Sequence, residues 1–253
     1  MTNIIMHGCN GKMGGVVTSI CDGDPEVTVV AGIDRQTTTD KAYPVYADVD
    51  SCDVEADVII DFSNEAAIDG LLEAAVKKNL PIVLCTTGLT EEQIAKVEEA
   101  AKQIPILRSA NMSLGINTLM DLLKKATEVF TSAGFDVEIV EKHHNQKLDA
   151  PSGTAIALAD AVNDALPEKY AYVYDRSDKR EKRNKKEIGI VAVRGGSIVG
   201  EHEVIFAGTD EVITLKHTAY SKAIFANGAV QAAKFLKGRS PGLYTMRDVI
   251  GQA

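Results

Sequence analysis

The sequence predicts an α/β protein in two parts, an open parallel sheet with helices on both faces and then an α+β part carrying a mainly antiparallel sheet. Three observations lead there. Apolar strand candidates at 3–6, 58–62, 82–85 and 106–107, together with the β-branched run Val27 to Ile33, alternate with helical stretches. A turn with glycines three apart, at Gly8, Gly11 and Gly14, follows the first strand. Beyond Asn111 the pattern changes, and strands at 137–140, 188–193, 198–206 and 211–218 include successive ones with no helix between them. The expected boundaries are 1–112 with 222–253 for the first domain and 113–221 for the second.

A chain of 253 residues with 45% hydrophobic content is long enough for a substantial core. Its net charge of -9 and pI near 5.1 exclude a general nucleic-acid binder, which needs a basic face. The exception is 175–187, DRSDKREKRNKKE, with seven Lys or Arg, which reads as a solvated loop. Cys9, Cys21, Cys52 and Cys85 form no CxxC pair, so reduced thiols and a cytoplasmic location are expected. No leader pattern and no apolar run of membrane-spanning length is present, and no membrane association is expected.

In the first part, HGCNGKMGG is read as strand end, tight turn and helix start. Glycines there let the backbone approach a pyrophosphate, which the free N–H groups and dipole of the helix N-terminus favour. Asn10 stands where many such loops have another glycine, and asparagine tolerates left-handed backbone. The second strand ends in Asp34, twenty residues after Gly14, placed to bind an adenosine ribose. Arg35 beside it suits a 2′-phosphate, so both NADH and NADPH are expected on a Rossmann-type domain. Leu71 to Lys78 reads as helix, and Thr90 with Gln93 makes a capping box for a helix through Lys102. The remaining strand ends, His7-Gly8, Phe62-Ser63, Thr86-Thr87-Gly88 and Ser109-Ala110-Asn111, are mostly polar or small. They are expected to extend the cofactor floor.

In the second part, a helix over 114–130 carries the chain out and one over 223–236 returns it. Between them lies EKHHNQKLDAPSGTA, Glu141 to Ala155, the densest chemistry in the chain. Either His143 or His144 can exchange a proton near neutrality, and neighbours in an extended chain point to opposite sides. Lys147 offers a cation or an acid. Ser152, Gly153 and Thr154 open a helix over 155–166 and suit a carboxylate. A metal site on His143, His144, His202 and His217 is the alternative, but the usual zinc spacings are absent, so no metal is expected.

The stretches HGCNGKMGG, DVIIDFS, CTTGLT, SANMSLGIN, EKHHNQKLDAPSGTA, GGSIVGEHEVIF and FANGAVQAAKFL resemble the dihydrodipicolinate reductase family across essentially the whole chain. The resemblance implies an NAD(P)H-dependent reduction of 4-hydroxy-tetrahydrodipicolinate, a small cyclic imine-type dicarboxylate, in lysine and diaminopimelate synthesis. It further implies a homotetramer formed through the C-terminal sheet and subunits that hinge closed on their ligands. His143 is the implied acid/base and Lys147 the implied proton donor. His144, Lys147, Ser152, Gly153 and Thr154 are the implied carboxylate holders. The implied cofactor residues are Gly8, Gly11, Lys12, Met13, Asp34 and Arg35, with Thr86, Thr87, Gly88, Ser109, Ala110, Asn111 and Met112 near the nicotinamide; Phe62 joins them from its strand end. Two departures stand out. Ser221-Lys222 replaces the commoner Ser-Arg, losing a bidentate donor, and His144-Asn145-Gln146 replaces His-Arg-His. Competing readings are another two-domain dehydrogenase such as an aspartate dehydrogenase, or a non-catalytic NAD(H) sensor. Neither needs HHxxxK followed by SGT.

Overall fold

The computed structural model describes residues 1–38 and 40–251. The chain divides into two compact units, 1–114 with 223–253 and 115–222.

The first unit is built on a seven-stranded, all-parallel sheet. Its strands are β1 (Thr2–His7), β2 (Val27–Ile33), β3 (Val45–Tyr46), β4 (Val58–Asp61), β5 (Ile82–Leu84), β6 (Pro105–Arg108) and β12 (Gly242–Tyr244). They lie in the order β12-β6-β5-β4-β1-β2-β3. The short β3 and β12 escape the sequence pattern because they are edge strands of two and three residues. The four residues of β4 are all buried, as a strand covered on both faces must be. Ile4, Met6, Val58 and Ile60 face a core shared with α1 (Lys12–Asp22) and α6 (Ala223–Leu236). Ile5, Ile59, Ile82 and Leu84 face the opposite core, with α2 (Ile68–Lys78) and α3 (Glu91–Ala100). The expected capping box forms at Thr90, with Gln93 N donating to its hydroxyl at 3.2 Å and Thr90 N donating to Gln93 Oε1 at 3.1 Å. The order of connection reverses between β1 and β4, so their C-terminal ends open a crevice between neighbouring loops.

The second unit opens with α4 (Leu114–Ser132) and carries a five-stranded sheet ordered β11-β10-β7-β9-β8. Here β7 is Asp136–His143, β8 Ala171–Val173, β9 Glu187–Arg194, β10 Gly200–Ala207 and β11 Val212–Ala219. Pairing is antiparallel along β11, β10 and β7 but parallel along β7, β9 and β8. The parallel edge arises because α5 (Gly153–Asp164) intervenes after β7 and the long 174–186 connection after β8, crossovers of the kind parallel strands require. Strict alternation along β7 buries Val137, Ile139, Glu141 and His143. Phe206, Leu158 and Leu123 fill the core on that side.

The basic run at 175–187 is partly tied down. Arg183 donates to Asp136, Glu138 and the carbonyls of Val137 and Glu187, and Arg176 donates to Glu138 and Glu187. Lys179, Arg180 and Lys182 remain on the surface. All four cysteines are free thiols. Among the described residues no helix is long and apolar enough to cross a membrane.

Candidate active site

In the first unit the glycine turn is shaped by close packing. Gly8 has φ +81°, and a Cβ there would sit 2.7 Å from the Phe62 carbonyl oxygen. A Cβ at Gly14 would overlap the Gly8 carbonyl and the Cys9 backbone. The turn is thereby pressed against both the β4 end and the first turn of α1. Gly11 caps α1 without a side-chain hydrogen bond, leaving the first-turn N–H groups without a side-chain acceptor. Beside them lies a groove of about 520 Å³ that includes His7, Gly8, Gly11, Asp34, Arg35 and Phe62 in its lining. The Asp34 carboxylate accepts Asn10 N at 3.0 Å, so the acid at the β2 end also clamps the glycine turn. Unobstructed glycine backbone, free helix N–H groups and an acid with an adjacent arginine fit an adenine dinucleotide.

The other expected cofactor residues divide between surface and interior. Lys12, Thr87, Gly88 and Ala110 are exposed, with Gly88 at φ +80°, and Met13 is half-buried. Thr86 is buried and donates its hydroxyl to Asp61 at 2.6 Å. Ser109 Oγ accepts Met246 N, Asn111 Oδ1 accepts Ser113 N, and Met112 is in the core. These residues hold the strand-end loops in shape.

In the second unit the central stretch gathers on one carboxylate. Glu141 is completely buried. Its Oε2 lies 2.6 Å from His143 Nδ1 and accepts Arg194 Nη1 at 2.7 Å; its Oε1 accepts Arg194 Nη2 at 2.6 Å and Ser152 N at 2.9 Å. Burial pushes this carboxyl up, but the Arg194 fork, the imidazole and the Ser152 N–H outweigh it and hold it below the usual range. Arg194 also donates to the Asp149 carbonyl. Of the two histidines, His143 is the one on the buried face; His144 follows the strand end and is half-buried.

Ser152 is the N-cap of α5, accepting Ala155 N at 3.2 Å, and its hydroxyl also meets His202 Nε2 at 3.0 Å. His202 is pushed down to about 4, first by burial and then by His143, whose ring lies 5.1 Å away edge-on. The neutral His202 ring and the serine hydroxyl thus share one hydrogen bond through Nε2. Lys147 Nζ pairs with Asp149 Oδ1 at 2.8 Å, and the Gly153 N–H also favours that carboxylate, which is held below its ordinary range chiefly by Lys147. The lysine and the helix start thus already attract a carboxylate.

Four contributors were not singled out from sequence for these roles: Glu141, Arg194 and His202 here, and His7 in the groove. His7 Nδ1 lies 2.8 Å from the buried Asp61, off the line of a hydrogen bond. Glu141 had a usable signal, since an acid at a core position of an alternating strand has to be paired. Arg194 and His202 carried none, being brought in by strands more than fifty residues away. Among the described residues no cluster of metal-ligating side chains is present.

Comparison with known proteins shows the family. Residues 2–112 match the family model for the dihydrodipicolinate reductase N-terminus, and residues 115–250 match that for its C-terminus. A 4-hydroxy-tetrahydrodipicolinate reductase from Caldanaerobacter subterraneus is 58% identical over 99% of this chain and 98% of its own. One from Clostridium tetani is 49% identical over 97% and 96%. Among solved structures, a dipicolinate-bound dihydrodipicolinate reductase from Paenisporosarcina sp. TG-14 superposes with a TM-score of 0.82 at 24% identity, covering 99% of each chain. Two matched halves that together span the sequence, with relatives of nearly equal length, place this chain in the dihydrodipicolinate reductase family.

Proposed function

We propose that the chain reduces 4-hydroxy-tetrahydrodipicolinate to tetrahydrodipicolinate with NADH or NADPH, in lysine and diaminopimelate biosynthesis, and that it works in the cytoplasm as a homotetramer. The observation that carries the site is the joining of His143 and the start of α5 on the single buried carboxylate of Glu141. An acid/base group and an anion-binding helix terminus held by the same atoms suit a small dicarboxylate that must be protonated as it is reduced.

The groove beside Gly8, Gly11, Asp34 and Arg35 holds the dinucleotide, with Asp34 suited to the ribose and Arg35 to a 2′-phosphate. The bound cofactor supplies the hydride. Gly153, whose N–H favours the Asp149 carboxylate, and Thr154 are the helix-start residues suited to a substrate carboxylate, and Lys147 and His144 add donors. Ser152 acts by position, because its N–H is taken by Glu141 and its hydroxyl by Ala155 and His202. As hydride reaches the conjugated ring carbon, the electron pair moves toward the ring atom that becomes basic, and Lys147 or His143 delivers a proton there. The affinity of Lys147 and Gly153 for the Asp149 carboxylate supports their handling of a substrate carboxylate.

The test is a reductase assay with substrate generated in situ from pyruvate and aspartate semialdehyde by the preceding synthase. NAD(P)H oxidation above the enzyme-free rate is expected. Its absence would remove the assignment.

A further inference from the structure

We propose that Glu141, held by Arg194, is a positioning residue that fixes the tautomer and orientation of His143 and ties them to the placement of the Ser152 turn. The inference rests on the reading of His143 as the acid/base group.

The geometry is that of a fully used carboxylate. Glu141 receives two N–H groups from Arg194, one from Ser152 and the contact from His143 Nδ1, filling about the four lone-pair sites an ionised carboxylate offers. Such a group only accepts. With Arg194 forked onto both oxygens the carboxylate stays ionised, so the hydrogen of His143 sits on Nδ1. Nε2 is then the nitrogen left to exchange a proton. The structure keeps room at that edge, because the neighbouring residue on β10 is Gly200, where a Cβ would stand 3.1 Å from Nε2.

A purely structural explanation is weaker on energetic grounds. Burying a carboxylate and a guanidinium has an effective penalty of several kcal/mol per ion, and packed apolar groups often fill such sites with no loss of stability. What apolar groups could not do is orient an imidazole and dock the start of α5 through the same atoms. Ser152 N is eleven residues downstream of Glu141, so both ends of the loop carrying Lys147 are registered against one side chain. The charged and titratable groups around His143 are Glu141 on its own strand, Arg194 on β9 and His202 on β10, with Lys147 and Asp149 in the loop. Of these, Glu141 alone offers the ring a carboxylate contact.

The experiment is Glu141→Gln in the full-length enzyme, with kcat and kcat/KM followed against pH and NADH affinity measured separately. Loss of the carboxylate that receives Nδ1–H should shift the pH profile and lower kcat about tenfold or more, with NADH affinity unchanged. Glu141→Asp should restore part of the shift. Wild-type kcat in Glu141→Gln, or reduced kcat with an unmoved profile, would overturn the proposal. If Glu141→Gln does not fold, histidine ¹⁵N and ¹H resonances of the wild-type enzyme decide it, assigned with His143→Ala. A hydrogen-bonded proton on Nδ1 is expected; a resting Nε2–H tautomer would overturn the idea. His143→Ala with undiminished turnover would instead remove the acid/base reading itself, independently of Glu141.

Discussion

The groove beside the glycine turn and the Glu141 cluster are built from different materials. The groove is mostly backbone: glycines that permit close approach, uncapped helix N–H groups, and strand ends brought together where the strand order reverses. The cluster is mostly side chain, with Glu141 from β7, Arg194 from β9, His202 from β10 and Ser152 from the start of α5. A backbone site is sensitive to added volume and tolerant of most other change. A side-chain site depends on each partner and on the charge it carries.

The largest expected effect breaks the side-chain site at its cation. Lys147→Ala should lower turnover by about 10²- to 10⁴-fold with NADH affinity nearly intact, measured by steady-state kinetics and cofactor fluorescence titration. Equal loss of both would make Lys147 structural.

The buried imidazole of the cluster should be visible in stability. His202 protonates near 4 in the folded chain against an ordinary 6.5. Between those values the unfolded chain binds more protons, so stability is full above about 6.5 and falls as pH drops toward about 4. The loss is ~3 kcal/mol at about 1.36 kcal/mol per unit. His202→Gln should flatten the pH dependence of urea unfolding across this window; an unchanged slope would assign the acid sensitivity elsewhere.

For the groove, Arg35→Ala should weaken NADPH binding by about ten- to a hundredfold, the range of a hydrogen bond to a charged group, and leave NADH binding unchanged. Equal weakening of both would take Arg35 away from the 2′-phosphate. Gly14→Ala tests the backbone character directly. The added Cβ overlaps Gly8 and Cys9, and a loss of about 1–3 kcal/mol in unfolding free energy is expected, together with weaker binding of both cofactors. Smallest of all, Lys179→Ala in the exposed part of the basic run should change stability by less than about 0.5 kcal/mol and leave kinetics untouched. A large effect there would reveal a role that the ion pairs of Arg176 and Arg183 do not account for.

The same division explains what could be read before the fold was known. Strand β2 and helix α6 were legible to the residue, and the Thr90 capping box formed as expected, because each is a local pattern. Strands β3, β8 and β12 were not, since two or three residues hold no period. The sheet of the second unit was read as mainly antiparallel; the helix after β7 was expected, but the parallel β7-β9-β8 edge became visible only from the strand pairing itself. His143, Lys147, Ser152, Gly153 and Thr154 stood out because they lie within twelve residues of one another.

By itself the sequence determined the parallel sheet, the glycine turn, the acid and arginine after β2 and the stretch that gathers two histidines, a lysine and the Ser-Gly-Thr turn, since each is written in neighbouring residues and elementary stereochemistry. Tertiary structure alone decided that Arg194, 53 residues downstream, is the partner of Glu141, that His202 lies against His143, and that the Ser152 hydroxyl is committed to that second histidine. Those contacts depend on strand register, and register is fixed only when whole sheets pack.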